Sequence, residues 1–150
     1  MKKVVNRKAR FNYELEGRVE AGIVLTGAEV KSVKQGKVSL GESFCRIDDK
    51  GEAWLHNAHI HPYEFADNRD YEPTRSRKLL LKKKEILSLE KKTEGKNLVL
   101  IATGIYTKGR RIKVELALGR GKKKWDKRAA VKKREQEREA RRAMKRRVRV

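Results

Sequence analysis

Arg111-Ile112-Lys113-Val114-Glu115-Leu116-Ala117-Leu118 is the stretch from which the fold class can be read. Ile112, Val114, Leu116 and Leu118 recur at every second position. In an extended chain all four fall on one face, while Lys113 and Glu115 fall on the other. A strand of this kind covers a core with one side and meets solvent or a ligand with the other. Leu98 to Ile105 is a second apolar run just upstream, and Lys108-Gly109 between the two predicts the turn of a hairpin.

The same period of two returns near the beginning of the chain. Phe11, Tyr13 and Leu15 alternate with polar residues, and Val19, Ala21, Ile23 and Leu25 continue after Gly17, which predicts a long strand or a strand pair. Thr26-Gly27-Ala28-Glu29 then fits a capping box, in which the threonine hydroxyl and the glutamate three residues on each take a backbone N–H of the other. The helix it opens places Val30 and Val33 on one face, directs Lys31 and Lys34 elsewhere, and is expected to stop at Gly36. Two more strands are predicted around Ser39 to Asp48 and Glu52 to Ile60, joined through Asp48-Asp49-Lys50-Gly51. Residues 61–76 hold both prolines and read as a long loop. Leu79-Leu80-Leu81 is a short apolar run, and Glu85 to Lys92 predicts a helix with Ile86 and Leu89 on one face, ending near Gly95. About six antiparallel strands with two or three short peripheral helices predict a mainly β fold. A small antiparallel barrel of the oligonucleotide-binding (OB) type accommodates that many short strands.

Charge divides the chain further. The 150 residues carry 41 Lys or Arg against 20 Asp or Glu, a net charge of +21. Residues 120–150 contribute +12 of this, with 16 basic groups against Asp126, Glu135, Glu137 and Glu139. The predicted organisation is a basic, mobile arm over residues 1–10, a barrel over 11–119 and a basic tail over 120–150. From Asp126-Lys127-Arg128 onward the tail favours a helix, yet no apolar stripe returns to seat it on a core. Both barrel and tail are positive, so nucleic acid is the leading partner: a phosphate backbone relieves the self-repulsion of so basic a chain. The tail lacks the Trp, Phe and Leu face that inserts into lipid, and no apolar run approaches the roughly 20 residues of a membrane span. Met1-Lys2-Lys3 leads into polar Asn6, Arg7 and Lys8 without a signal-peptide core, and a single Cys45 allows no internal disulfide. A cytoplasmic location is the expectation.

Few groups suggest chemistry. His56, His59 and His61 lie close together, but only His59 and His61 share a face of an extended chain and no familiar ligand spacing completes a metal site. Cys45 alternates with Ser43 and Ile47 as a small core residue does. Gly119-Arg120-Gly121-Lys122 is not followed by Ser or Thr and ends a strand, unlike a phosphate-cradling loop. No catalytic residue, metal or cofactor is expected. Arg75, Arg77 and Lys78 beside the polar loop read either as a solvated rim or as phosphate contacts. Trp125, set between Lys122-Lys123-Lys124 and Asp126-Lys127-Arg128, is expected to stack on a base or nucleotide.

Seven short motifs, in order from Asn6 to about Lys145, carry a resemblance. They are Asn6-Arg7-Lys8-Ala9-Arg10 with Tyr13, Glu20-Ala21-Gly22-Ile23-Val24-Leu25-Thr26-Gly27, Glu29-Val30-Lys31-Ser32, His59-Ile60 with Pro62-Tyr63, Pro73-Thr74-Arg75-Ser76-Arg77-Lys78-Leu79-Leu80-Leu81, Gly121-Lys122-Lys123, and Asp126-Lys127-Arg128. Together they resemble the SsrA-binding protein (small protein B) family, the partners of transfer-messenger RNA in bacterial ribosome rescue, or trans-translation. The resemblance implies an OB-type barrel that grips the tRNA-like domain of that RNA. It implies RNA contact at Glu20, Lys34, Leu80 and Lys113, with Arg7, Arg10, Arg75, Arg77 and Lys78 on phosphates. For the tail it implies a segment disordered in the free protein that becomes helical in the messenger channel of a stalled ribosome. Lys122, Lys123, Trp125, Asp126, Lys127, Arg128, Met144 and Lys145 would then meet the decoding region and channel. Elongation factor Tu is an implied partner through the shared RNA. The chain departs from the family pattern at Trp125, where His or Tyr is expected, at Ala143, where a larger aliphatic residue is common, and at Glu72, where Asp is usual. The rival readings are a ribosomal or ribosome-assembly protein with a basic tail, and an RNA-modifying enzyme using Cys45 or the histidines.

Overall fold

A computed structural model describes residues 3–94, 97–121 and 132–143. Its centre is the hairpin that the alternating stretch predicts: β8 (Val99–Lys108) and β9 (Arg111–Gly121) pair antiparallel from Lys108↔Arg111 to Val99↔Gly119. Gly109 turns the corner with φ +63°, a conformation that glycine adopts without strain. Ile112, Val114, Leu116 and Leu118 are all buried in the core, as their spacing requires.

Seven strands form one antiparallel sheet in the order β1-β8-β9-β2-β7-β5-β4, with β1 (Val4–Val5), β2 (Tyr13–Ile23), β4 (Phe44–Ile47), β5 (Ala53–His56) and β7 (Arg77–Leu80). β9 is flanked by two bulged strands. β2 carries an extra residue at Gly17-Arg18, where Gly17 has φ +65°, and β8 carries one at Thr103. Bulges bend and twist a sheet, and here the sheet curls until β4 packs against β8. The result is the small antiparallel barrel expected. β3 (Val38–Ser39) and β6 (His59–Ile60) form a separate antiparallel pair.

Three differences from the sequence reading have physical causes. Within the expected arm, the described residues 3–10 are built into the fold. Val4 and Val5 pair with Ile105 and Gly104, and α1 (Arg7–Asn12) follows. Buried Asn6 caps α1 by accepting the Ala9 N–H at 3.0 Å, and its Nδ2 donates to the carbonyls of Leu40 (3.1 Å) and Ala102 (2.9 Å). Phe11 therefore lies in a helix, and the long strand starts only at Tyr13. Each of the two middle strands is split in two: β3 is separated from β4 by the turn at Gly41, and β5 from β6 by Asn57, which takes a left-handed φ of +61°.

The remaining helices follow the sequence closely. α2 (Gly27–Lys34) has the predicted capping box, and Gly36 follows it at φ +75°. α3 (Lys83–Thr93) buries Leu89 and ends at Glu94, while Gly95 lies outside the described residues. Residues 132–143 form a fourth helix, α4, in which every residue is exposed. Its Arg134 guanidinium lies 5.3 Å from the centroid of the Phe11 ring.

Candidate nucleic-acid interface

Residues directly opposite on neighbouring strands project to the same face of a sheet. The registers Leu80↔Gly22, Gly22↔Lys113 and Lys113↔Tyr106 therefore set Leu80, Gly22, Lys113 and Tyr106 in one row across β7, β2, β9 and β8. This is the face opposite Ile112 and Val114, so the row lies outside the barrel. Leu80 is 54% exposed, unusual for a leucine inside a sheet. An adjacent row pairs Glu20 with Glu115 and Glu115 with Gly104.

Both carboxylates of that second row are engaged. Glu20 accepts from the Tyr106 hydroxyl and from Lys108 Nζ at 3.2 Å. The Tyr106 hydrogen bond is the main cause that holds the Glu20 carboxyl below its ordinary value, and Lys108 and Lys113 add to it. The phenol of Tyr106 is pushed up to about 12 by burial and by Glu20, so it stays a donor. Glu115 accepts from Lys3 Nζ at 2.6 Å and Thr103 Oγ1 at 2.9 Å. Burial alone would raise its pKa, but these donors outweigh burial and the net direction is down. The anions thus order Lys3, Tyr106 and Lys108, while Lys113 stands beside them at the centre of the row.

Of the residues expected to meet RNA, Glu20, Lys78, Leu80 and Lys113 line a single hollow on this face. Lys34 is exposed on α2, and Arg7 and Arg10 are exposed on α1; none of the three lines it. Arg75 is partly exposed, but its guanidinium is committed to Glu29.

Arg77 is a correction. It is 0% exposed and cannot contact a phosphate. Its Nε donates to Glu29 Oε2 at 2.7 Å, Nη1 to the Ala58 carbonyl at 2.6 Å and Nη2 to the Pro73 carbonyl at 2.9 Å. Glu29, equally buried, also accepts from Tyr71 Oη at 3.2 Å. This buried cluster ties the 58–75 segment to α2 and so fixes where β7, and Leu80 on it, enters the sheet. Tyr106, Gly22 and Glu29 are the participants that sequence reasoning missed. Tyr106 had no periodic signal, since Leu100 to Ile105 are buried without a break and β8 is bulged at Thr103.

The sites expected in the tail, Lys122, Lys123, Trp125, Asp126, Lys127, Arg128, Met144 and Lys145, lie outside the described residues. Cys45 is buried, and desolvation pushes its thiol up to about 12, the reverse of nucleophile activation. His56 Nδ1 hydrogen-bonds Ser76 Oγ at 2.7 Å, and the rings of His59 and His61 lie 6.2 Å apart. Among the described residues no three His, Cys, Asp or Glu side chains gather as metal ligands, and no helix is long and apolar enough to cross a membrane.

With this geometry in view, comparisons with known proteins are specific. The SmpB protein family model matches residues 3–146. The chain is 52% identical over 138 residues to the SsrA-binding protein of Desulforudis audaxviator, covering 92% of this chain and 90% of that one. It is 50% identical over 140 residues to the SsrA-binding protein of Dehalococcoides mccartyi, covering 93% and 81%. The solved structure described as "tmRNA-SmpB: a journey to the center of the bacterial ribosome" matches with a TM-score of 0.68 and 46% identity, over 81% of this chain and 85% of that one.

Proposed function

The chain belongs to the SmpB protein family, and from that premise we propose that it is a non-enzymatic RNA-binding adaptor of trans-translation. It binds the tRNA-like domain of transfer-messenger RNA and helps deliver that RNA to stalled ribosomes. The observation that carries the reading is the outward row Leu80, Gly22, Lys113 and Tyr106, with Glu20 beside it. The row joins an exposed apolar side chain, a cation and hydrogen-bonding groups, which is what an RNA loop with splayed bases requires. The Lys113 ammonium serves a phosphate, and the carboxylates accept from base amines or a ribose hydroxyl.

The tail is assigned the second half of the task. A helix such as α4, basic and with every residue exposed, suits a channel walled by ribosomal RNA. The segment from Lys122 to Arg128, with Trp125, is assigned to the decoding region, and Met144 and Lys145 to the channel. Elongation factor Tu joins the complex through the RNA. The cytoplasm, where ribosomes work, is the assigned location.

Two measurements test this. Capture of the tagged chain from cells, followed by sequencing of bound RNA, is expected to return one dominant transfer-messenger RNA; a broad ribosomal RNA profile would overturn the adaptor reading. Removal of residues 121–150 is expected to leave affinity for the tRNA-like domain largely intact and to abolish tagging of incomplete proteins. Loss of RNA binding on that truncation would refute the division of labour.

A further inference from the structure

Between β6 and β7 the chain makes an excursion whose charge is opposite to that of the whole molecule. Residues 62–74 carry Glu64, Asp67, Asp70 and Glu72 against Arg69 alone, a net −3 in a chain of +21. All four carboxylates are exposed. Asp67 is neutralised by Arg69, whose Nη2 lies 2.8 Å from its Oδ2. Glu64 and Asp70 have no ion-pair partner among the described residues. Between these two in sequence stands Phe65, 78% exposed, more than any other large apolar side chain among the described residues.

The tip is built by its own hydrogen bonds. Asn68 Nδ2 donates to the carbonyls of Tyr63 (2.8 Å) and Ala66 (3.1 Å), and the Ala66 N–H donates to the Tyr63 carbonyl at 3.1 Å. These bonds close a tight turn around Phe65, and the Tyr63 ring meets the Phe65 ring edge-on with centroids 5.5 Å apart. At the base, the Ile60 N–H donates to the Pro73 carbonyl at 3.0 Å and Tyr71 Oη to the Ile60 carbonyl at 2.9 Å. An aromatic side chain held in place in this way binds without the entropy cost of ordering its loop. So exposed a phenylalanine adds little to the core, whereas aromatic side chains are enriched in protein interfaces.

The sign of the charge selects the partner. Phosphates are repelled by Glu64, Asp70 and Glu72, so the tip is the wrong surface for nucleic acid. A second copy would bring together two bodies of +21 each, which repel. A basic protein surface meets both the charge and the exposed ring. We propose that the 62–72 tip docks on a Lys- and Arg-rich protein surface of the ribosome. Phe65 packs on the aliphatic stems or guanidinium planes of those side chains, and Glu64 and Asp70 pair with their charges. The proposal rests on the reading that this chain works on ribosomes, and it names a protein contact there.

The test uses the full chain with transfer-messenger RNA and purified ribosomes stalled on a message without a stop codon. With Phe65 replaced by a benzophenone-bearing phenylalanine, irradiation is expected to cross-link the chain to a ribosomal protein, at a peptide rich in Lys and Arg. A cross-link to ribosomal RNA or to a peptide without basic residues overturns the proposal, as does none on ribosomes that retain the chain. Glu64→Lys combined with Asp70→Lys tests the sign. That double variant, and separately Phe65→Ser, is expected to associate with ribosomes about tenfold more weakly, the scale of one interface anchor. Affinity for the tRNA-like RNA is expected to stay unchanged. Stronger association of the double variant would mean that the tip faces phosphate, and unchanged association of either variant that it faces solvent; both refute the docking surface. All three positions are exposed, so circular dichroism is expected to show the variants folded. If the intact chain binds the RNA and not the ribosome, the ribosome reading falls and the docking surface falls with it.

Discussion

Glu29 and Arg77 form an ion pair in which both side chains are 0% exposed, with Arg77 Nη2 2.6 Å from Glu29 Oε2. They are 48 residues apart, and every donor of the Arg77 head group that reaches outward ends on a carbonyl or hydroxyl of the 58–73 segment. The pair is the internal anchor of a long loop that has almost no regular structure of its own.

Removing Glu29 leaves the buried Arg77 an uncompensated charge, whereas removing Arg77 leaves Glu29 still paired with Arg75. Glu29→Met is expected to lower unfolding free energy by about 3–5 kcal/mol, the usual result of orphaning one member of a buried pair. The double variant Glu29→Met with Arg77→Met is expected to recover a large part of that loss. Urea denaturation of the three proteins checks it, and a double variant as unstable as the single one would show that the cluster acts mainly through its neutral hydrogen bonds.

Acid is expected to reproduce part of this effect. Burial alone would raise the Glu29 carboxyl, but the bonds from Arg75, the Thr26 N–H and Arg77 outweigh it and hold the group below its ordinary value of 4.5. A folded pKa below the unfolded one stabilises fully above the unfolded value, and that stability is lost as pH falls through the folded value. The fold is therefore expected to hold its stability down to about pH 4.5 and to lose it below. Glu20 and Glu115 shift in the same direction and contribute alongside. Comparing the acid limb with that of Glu29→Gln isolates the buried carboxyl, since the variant's curve is expected to be flatter.

Lys113 faces away from the core at the centre of the outward row, so its loss is expected to affect binding without affecting folding. Lys113→Ala is expected to weaken RNA affinity and reduce the slope of log K against log salt by roughly 0.7–0.9, the signature of one lost phosphate contact. Lys34→Ala tests the α2 contact in the same way. An unchanged salt slope in either variant would identify that lysine as solvated surface.

Cys45 is expected to be chemically silent in the folded chain. Its thiol, buried against β8 and pushed up to about 12, holds almost no thiolate at neutral pH. A thiol reagent is expected to label it only at the rate of unfolding, and Cys45→Ala is expected to leave RNA binding unchanged. Rapid labelling of the native protein would contradict its placement.

Local rules carried much of the fold. The alternation of Ile112 to Leu118, the Thr26–Glu29 box and the Gly36 stop depend on neighbours a few residues away, and each is realised. α1 was legible too, since Asn6 is a good cap before Arg7-Lys8-Ala9-Arg10, but the charge of the segment read as an arm. What decides that it docks is Asn6 reaching Leu40 and Ala102, 34 and 96 residues away. Arg77 was misread for the same reason. A charged residue beside two others looks like a surface patch until a distant carboxylate is brought to it. The candidate site divides similarly. Lys113 follows from periodicity and Glu20 and Leu80 only from resemblance, whereas the row that unites them depends on the register of four strands.

β9 connects the two ends of the proposed task. Lys113 lies near its start and Gly121 at its end, where the basic tail departs opposite Tyr13. Eight residues of strand span about 26 Å at ~3.3 Å per residue, and the two extra residues that bend the sheet sit in β2 and β8, not in β9. A single uninterrupted strand thus works as a gauge between the barrel's grip and the tail's departure point. Its length sets how far from the RNA the tail begins its reach, and every copy of the molecule begins it from the same place.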